Sequence, residues 1–313
     1  MLISIVIITY NRSKELAELL INLHKQSYKS KQIIVVDNNS TDNTETIIQN
    51  FRDVNYYKID RNLGVPGGRN FGIKKATGNI ILFIDNDAEI MDGGLDLIIN
   101  AFKKNATLGI LAPRIDNFFS KELDRSSWVY SVHKLKDKDK SFFTFFFVGC
   151  AFAVRKEVFE NCGLLWDDLF FMHEEKDFAH RVVAADFSIK YEPAVRVYHK
   201  VSQENRYTIS SRFFEYGSRN IIWIFMRYYP FHIFLYKTTI FLFLQSIQAI
   251  KTGNLRAHIL SVIEAIKHIK IPLSKRKKLD YASRKKIKEL QYVKKDAFNR
   301  RVKRVFSNTP YTE

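Results

Sequence analysis

Asp85 and Asp87 stand two residues apart after the apolar run Ile80-Ile81-Leu82-Phe83-Ile84. Five apolar residues in a row read as a strand covered on both faces. The strand's period of two then sets both carboxylates on one face at its carboxyl end, where open α/β sheets receive ligands. Two readings of this D-x-D stand open. One is a solvated turn that closes the strand. The other is a site where Mn2+ or Mg2+ neutralises a substrate's phosphates. Asp37 ends a second apolar run, and Arg61 and Arg69 flank the loop Gly64-Val65-Pro66-Gly67-Gly68. A nucleoside diphosphate is the ligand that uses acids, cation and arginines together. Further on, Glu174, Glu175, Asp177 and Arg181 are either the polar, i,i+4-paired face of a helix or a set of acids for proton transfer.

The elements that must position these groups follow from the hydrophobic pattern. Residues 3–8, 32–37, 54–59 and 79–84 read as strands. Leu16, Leu19, Leu20 and Leu23 mark a helix after the first, Ile47 and Ile48 one after the second, and residues 71–77 a third that Gly78 stops. Strands alternating with helices predict an α/β fold with a mostly parallel central sheet and helices on both faces. The first strand is followed by Thr9-Tyr10-Asn11-Arg12-Ser13 instead of G-x-G-x-x-G, which disfavours a nicotinamide enzyme, and no G-x-x-x-x-G-K-[ST] occurs. A nucleotidyltransferase is disfavoured for want of a Gly-rich G-x-G-x-R loop.

The chain has 313 residues, 46% of them hydrophobic, enough for one sizeable catalytic domain and an extension. Its two cysteines, Cys150 and Cys162, argue against a disulfide framework or a Cys-rich zinc site and are expected to pack. The apolar start, residues 1–8, lacks a basic leader and reads as the first core strand.

Several stretches in order resemble family 2 glycosyltransferases of the GT-A fold: S-I-V-I-I-T-Y-N-R, V-V-D-N-N-S-T-D-N-T, R-N-L-G-V-P-G-G-R-N-F-G, F-I-D-N-D, V-G-C-A-F-A-V-R and M-H-E-E-K-D-F with Arg181. The resemblance spans roughly residues 3–200 and implies a Rossmann-like catalytic domain over residues 1–205. It implies that Thr9, Asn11, Asp37, Arg61, Gly68, Arg69, Asp85 and Asn86 bind a UDP- or dTDP-sugar, Asp37 holding the base. Asp87, with Asp85 and His199, would hold Mn2+ or Mg2+. Glu175 would be the base of an inverting transfer and Glu174 its fallback, and Asp167 and Asp168 would lie on the acceptor side. Glu175 occupies a position where the family usually has Asp, so the side chain is one carbon longer. The acceptor implied is a glycan or lipid-linked glycan, and the step Arg219-Asn220 resembles the rhamnosyltransferase-like members. A non-catalytic partner in glycan assembly that keeps the fold is the alternative.

Residues 206–313 read as a helical extension, rich in aromatics and then basic. The apolar run 238–250, with Pro230, His232 and Lys237 before it, is short of the roughly 20 residues that span a bilayer, so an interfacial segment is expected. Residues 275–304 hold 14 basic and 3 acidic residues, a net +11 of the chain's +17. That charge suits an anionic membrane surface, at the inner face of the cytoplasmic membrane. Nucleic acid is disfavoured because no recognition motif accompanies it.

Overall fold

The structure, a computed structural model, describes residues 1–200 and 211–291. Nine strands form one mixed sheet in the order β3-β2-β1-β4-β8-β6-β9-β5, with β7 added against β9. Strands β1 (Ile3–Thr9), β2 (Lys31–Asp37), β3 (Val54–Lys58) and β4 (Ile80–Ile84) are the predicted strands and lie parallel. Helices α1 (Ser13–Lys25), α2 (Thr44–Ile48) and α3 (Gly64–Lys75) connect them. A common direction brings Thr9, Asp37 and the residues after Ile84 to one edge of the sheet.

The remaining strands return to that edge. Strand β8 (Ala151–Arg155) runs antiparallel to β4 with Ala151 opposite Ile84, so Gly149 and Cys150 enter beside Asp85. Strands β6 (Leu108–Asn117) and β9 (Ser188–His199) are parallel neighbours. The short β5 (Ala88–Ile90) pairs antiparallel with the end of β9, Ala88 opposite His199. Strand β7 (Phe142–Thr144) pairs with the first half of β9, and Phe145 and Phe147 beyond it are buried core. Helices α4 (Gly94–Lys104), α5 (Lys156–Cys162) and α6 (Glu174–Ala184) cover the sheet.

Alternation divides the strands between two cores. Ile5, Ile7, Val35, Leu82 and Ile84 face one, with the leucines of α1 and with Leu95, Ile98 and Ile99 of α4. Val6, Ile34, Val36, Ile81 and Phe83 face the other, with Phe152, Phe178 and the C-terminal helices.

That second core includes the extension. Helix α7 (Ser211–Tyr228) buries Ile221, Trp223, Ile224 and Tyr228, and its Trp223 Nε1 donates to Ala265 O at 3.1 Å in α9 (Leu255–Lys267). Two shorter helices, α10 (Lys270–Ser274) and α11 (Tyr281–Leu290), follow, and Leu279 and Ile287 join the same cluster. Helix α8 (Phe231–Lys251) corrects one expectation. His232 and Lys237 do not interrupt it, and Pro230 stands just before it at the N-cap, where a proline costs no intrahelical hydrogen bond. At 21 residues it is long and apolar enough to cross a membrane by length and composition, and only 17% of its apolar window is buried. Part of the basic run, residues 292–304, lies outside the described residues.

Candidate active site

Helix α3 begins seven residues earlier than its glycines suggest. Pro66 falls in its first turn, where a missing N–H is harmless. Gly64 has a left-handed φ of +70°, and a Cβ there would stand 2.1 Å from Phe170 O, whose oxygen accepts from Val65 N–H at 2.8 Å. Gly68, expected against the nucleotide, is buried in α3 and turned to the side chains of Ile8 and Asn38. Its bareness serves helix-on-sheet packing.

The next residue, Arg69, is the hub. It is 3% exposed, with its guanidinium 5.2 Å from the Phe152 ring centre and 5.8 Å from that of Phe83. It donates to Gly149 O at 2.7 Å and pairs with Asp85 at 3.3 Å, Glu174 at 3.1 Å and Glu175 at 3.7 Å. Three carboxylates from distant parts of the chain share one guanidinium.

Helix α6 presents Glu174 and Glu175 from its first turn, where the helix dipole favours acids. The turn before it is strained. Phe170, Met172 and His173 have φ of 60°, 71° and 68°, a conformation that costs on the order of 1–3 kcal/mol per residue. Asn220 holds it, its amide donating to Leu169 O, Phe171 O and Met172 O at 2.8–3.0 Å, and Arg219 donates to Leu169 O at 2.9 Å. The Arg219-Asn220 step thus ties α7 to the entrance of α6. Burial, then the charge of Glu175, raises the Glu174 carboxyl to about 8 against the pull of Arg69, and its Oε2 is buried without a hydrogen-bond partner. Glu175 is the more open of the two, 21% exposed. A Cβ on Gly149 would meet Glu175 Oε1 at 2.0 Å, so the bare backbone of Gly149 makes room for the longer acid.

On the opposite side lie Asp85 and Asp87. They do not continue β4 and do not share a strand face. The chain turns at Asp85-Asn86-Asp87, with Ala88 N–H donating to Asp85 O at 3.1 Å, because Asp and Asn favour turns. Asp85 points to Arg69. Burial, opposed by Arg69 and helped by the nearby charges of Asp87 and Glu175, pushes its pKa up, although a side chain 43% exposed keeps solvent to temper the push. Asp87 meets His199 Nε2 at 3.3 Å and Arg12 at 2.5 Å. Burial alone would raise its pKa, but His199 and then Arg12 outweigh that and hold it near 2. Burial opposes a charge on His199, while Cys150 and Asp87 favour it and prevail. His199 Nδ1 is buried with no well-formed hydrogen bond among the described residues. Low-pKa carboxylate, second carboxylate and imidazole fit a divalent cation.

Thr9 is buried at the end of β1 and accepts from Asn86 Nδ2 at 3.0 Å. Asn11, exposed, accepts from Thr41 N–H at 2.8 Å, joining the loops after β1 and β2. Asp37 is fully enclosed, accepting from Ser40 N–H and from Tyr56 Oη, both at 2.7 Å. Arg61 is exposed and has no ion-pair partner among the described residues, so the contacts do not join it to the cluster. Asp168 accepts from Trp166 Nε1 at 2.6 Å and pairs with Lys275, which also lies 4.0 Å from Asp167. These two acids face the extension. Arg12, Gly149 and Cys150 belong to the site and escaped the sequence reading. Only V-G-C, next to a strand end, hinted at the last two.

The sequence pattern of Glycosyl transferase family 2 matches residues 4–163, just over half of the chain. A GalNAc(5)-diNAcBac-PP-undecaprenol beta-1,3-glucosyltransferase of Campylobacter jejuni is 31% identical over 102 residues, 31% of this chain and 33% of that protein. The chain thus matches about a third of that relative's length. Among solved structures, S. aureus TarS 1-349 in complex with UDP superposes with a TM-score of 0.54 at 21% identity, over 72% of this chain and 66% of that one. A mannosyltransferase from Pyrobaculum calidifontis in complex with GDP-Man and Mn2+ gives 0.57 at 15% identity, over 98% and 87%. At such identities the structures speak to the fold alone, a GT-A-like α/β architecture with C-terminal helices. With the matched pattern running from β1 to the end of α5, through the turn after β4 and the approach to β8 but short of the acids on α6, the chain belongs to glycosyl transferase family 2.

Proposed function

We propose that this transferase moves a sugar from a UDP- or dTDP-sugar to a hydroxyl of a glycan or lipid-linked glycan, with inversion. The observation that carries the reading is Glu175, a partly open carboxylate fixed between Gly149 and Arg69 on the cleft that Asp85 and Asp87 also line. Glu175 accepts the acceptor's proton as its oxygen attacks. Arg69 holds that acid and Asp85 in one frame, and Glu174 supports the charge balance from beneath. Asp87, Asp85 and His199 would hold Mn2+ or Mg2+, which would supply positive charge against the leaving diphosphate. The nucleobase lies toward Thr9, Asn11 and Asp37. Rhamnosyl or hexosyl transfer is the expected chemistry, the former supported by the Arg219-Asn220 step alone. Calorimetry with UDP, dTDP and GDP, with and without Mn2+, on wild type and Asp87→Ala tests this. Metal-dependent binding of one diphosphate, lost in the variant, is expected, and binding of none would leave a non-catalytic assembly partner as the better account.

We also propose that the chain lies on the inner face of the cytoplasmic membrane. The exposed Phe231, Tyr236 and Phe243 of α8 and Ile259, Ile263 and Ile266 of α9, together with the basic charge of the C-terminal sequence, support this. A truncation must spare Leu279 and Ile287, which are core. Removing residues 292–313 should weaken binding to anionic vesicles, and undiminished binding would take the basic run out of the account.

A further inference from the structure

Cys150 is the polar group of the cleft that sugar transfer does not call for. It is 5% exposed and comes from the residue just before β8. One ligand atom each of Asp85, Cys150 and His199 lies within 4.8 Å of the others, although the three come from the turn after β4, the approach to β8 and the end of β9. His199 addresses Asp87 through Nε2 and also interacts with the Cys150 sulfur, and its enclosed Nδ1 has no well-formed hydrogen bond among the described residues. A buried polar atom without a well-formed hydrogen bond is stabilised when a ligand completes it.

The chemistry of this donor set is specific. Mg2+ takes oxygen ligands in octahedral geometry, whereas thiolate and imidazole together suit softer ions such as Zn2+ and Co2+. Metal bonds of about 2.0–2.3 Å place ligand atoms roughly 3.5 Å apart, so a set already within 4.8 Å closes on an ion through small side-chain adjustments. We propose that Asp85, Cys150 and His199 form a binding site for a thiophilic divalent cation of the Zn2+ class, with Cys150 as a thiolate ligand. The thiol gives its proton to solvent on binding. Asp85 and His199 also belong to the oxygen-rich set with Asp87, so the thiophilic ion excludes Mn2+ from the cleft. That competition rests on the transferase reading; the site itself does not.

Cobalt reads the site directly, because a cysteine ligand to Co2+ produces a thiolate-to-metal charge-transfer band in the near ultraviolet. Titrating the full chain with Co2+ should develop this band to one equivalent. Zn2+ should abolish it and excess Mg2+ should not. The band should persist in Cys162→Ala, the other cysteine, and vanish in Cys150→Ser, with Co2+ binding weaker by at least about tenfold. Cys150→Ala is the second variant, and circular dichroism confirms that either is folded. A band that never forms, or one that survives in folded Cys150→Ser, overturns the site. Should that happen while UDP and Mn2+ still bind, the transferase reading stands. A Cys150-dependent band without diphosphate binding would fell the transferase reading and leave the cation site.

Discussion

Helix α6 supplies acids to two buried arginine clusters, and they are built to opposite specifications. In one, Asp177 accepts from Arg181 at 2.8 and 3.1 Å, from Arg227 at 2.7 Å and from Tyr228 Oη at 2.7 Å. One carboxylate faces two guanidiniums and a hydroxyl, and both its oxygens are bonded. In the other, Arg69 faces Asp85, Glu174 and Glu175, and Glu174 Oε2 is left without a partner. The saturated cluster clamps α6 to α7. The under-neutralised one holds excess negative charge beside a cleft, where a cation or an acceptor's proton can complete it. Glu174 and Asp177 stand only three positions apart, so helical position alone does not distinguish anchor from site; the count of opposing charges does.

The sharpest way to break this comparison is to remove one acid from each cluster. Glu175→Gln should lower the transfer rate by about 10²–10⁴-fold, the range for a general base, with UDP affinity and melting temperature nearly unchanged. A comparable loss of stability would make Glu175 an anchor too. Asp177→Ala should behave conversely, costing about 3–5 kcal/mol in chemical denaturation because Arg181 and Arg227 lose their buried counter-charge. A variant as stable as wild type would show that the clamp contributes nothing. Gly149→Ala should reduce the rate by about 10–100-fold through displacement of the Glu175 carboxylate, a misplacement effect, while diphosphate binding by calorimetry stays intact.

The most gradual effect, spread over several pH units, is on pH dependence. Glu174 is raised in the fold from its ordinary 4.5 to about 8, so between those values the folded protein binds a proton that the unfolded chain has released. Stability from this group is full below pH 4.5 and declines as pH rises toward 8, with a slope of at most about 1.4 kcal/mol per unit. Glu174→Gln should flatten the fall in melting temperature over that window. An identical pH profile in the variant would place the proton elsewhere in the cluster.

Much of this architecture is legible in the sequence. Alternating and continuous apolar runs located β1 to β4 and the buried face of α1, since strand and helix periods are local properties. The acids at the ends of β2 and β4 and the Glu174-Glu175 pair were equally visible. The glycines and proline of residues 64–68 misled, because they read as a loop. A helix start that packs bare backbone against Phe170 O, Leu63 and Ile8 needs the same residues.

What the chain determines by itself is therefore the set of elements, their order and the type of chemistry their loops can hold. Only the tertiary structure decided which charges meet: Arg69 with acids 16 and 105 residues away, and Cys150 with Asp85 and His199. It also decided that Asp85 and Asp87 part company at a turn and that Gly149 makes room for the longer Glu175. The physical reason is range. Hydrophobic period and turn preference act over a few residues, whereas the protonation and partners of a buried charge depend on everything within several ångströms of it, wherever along the chain that lies.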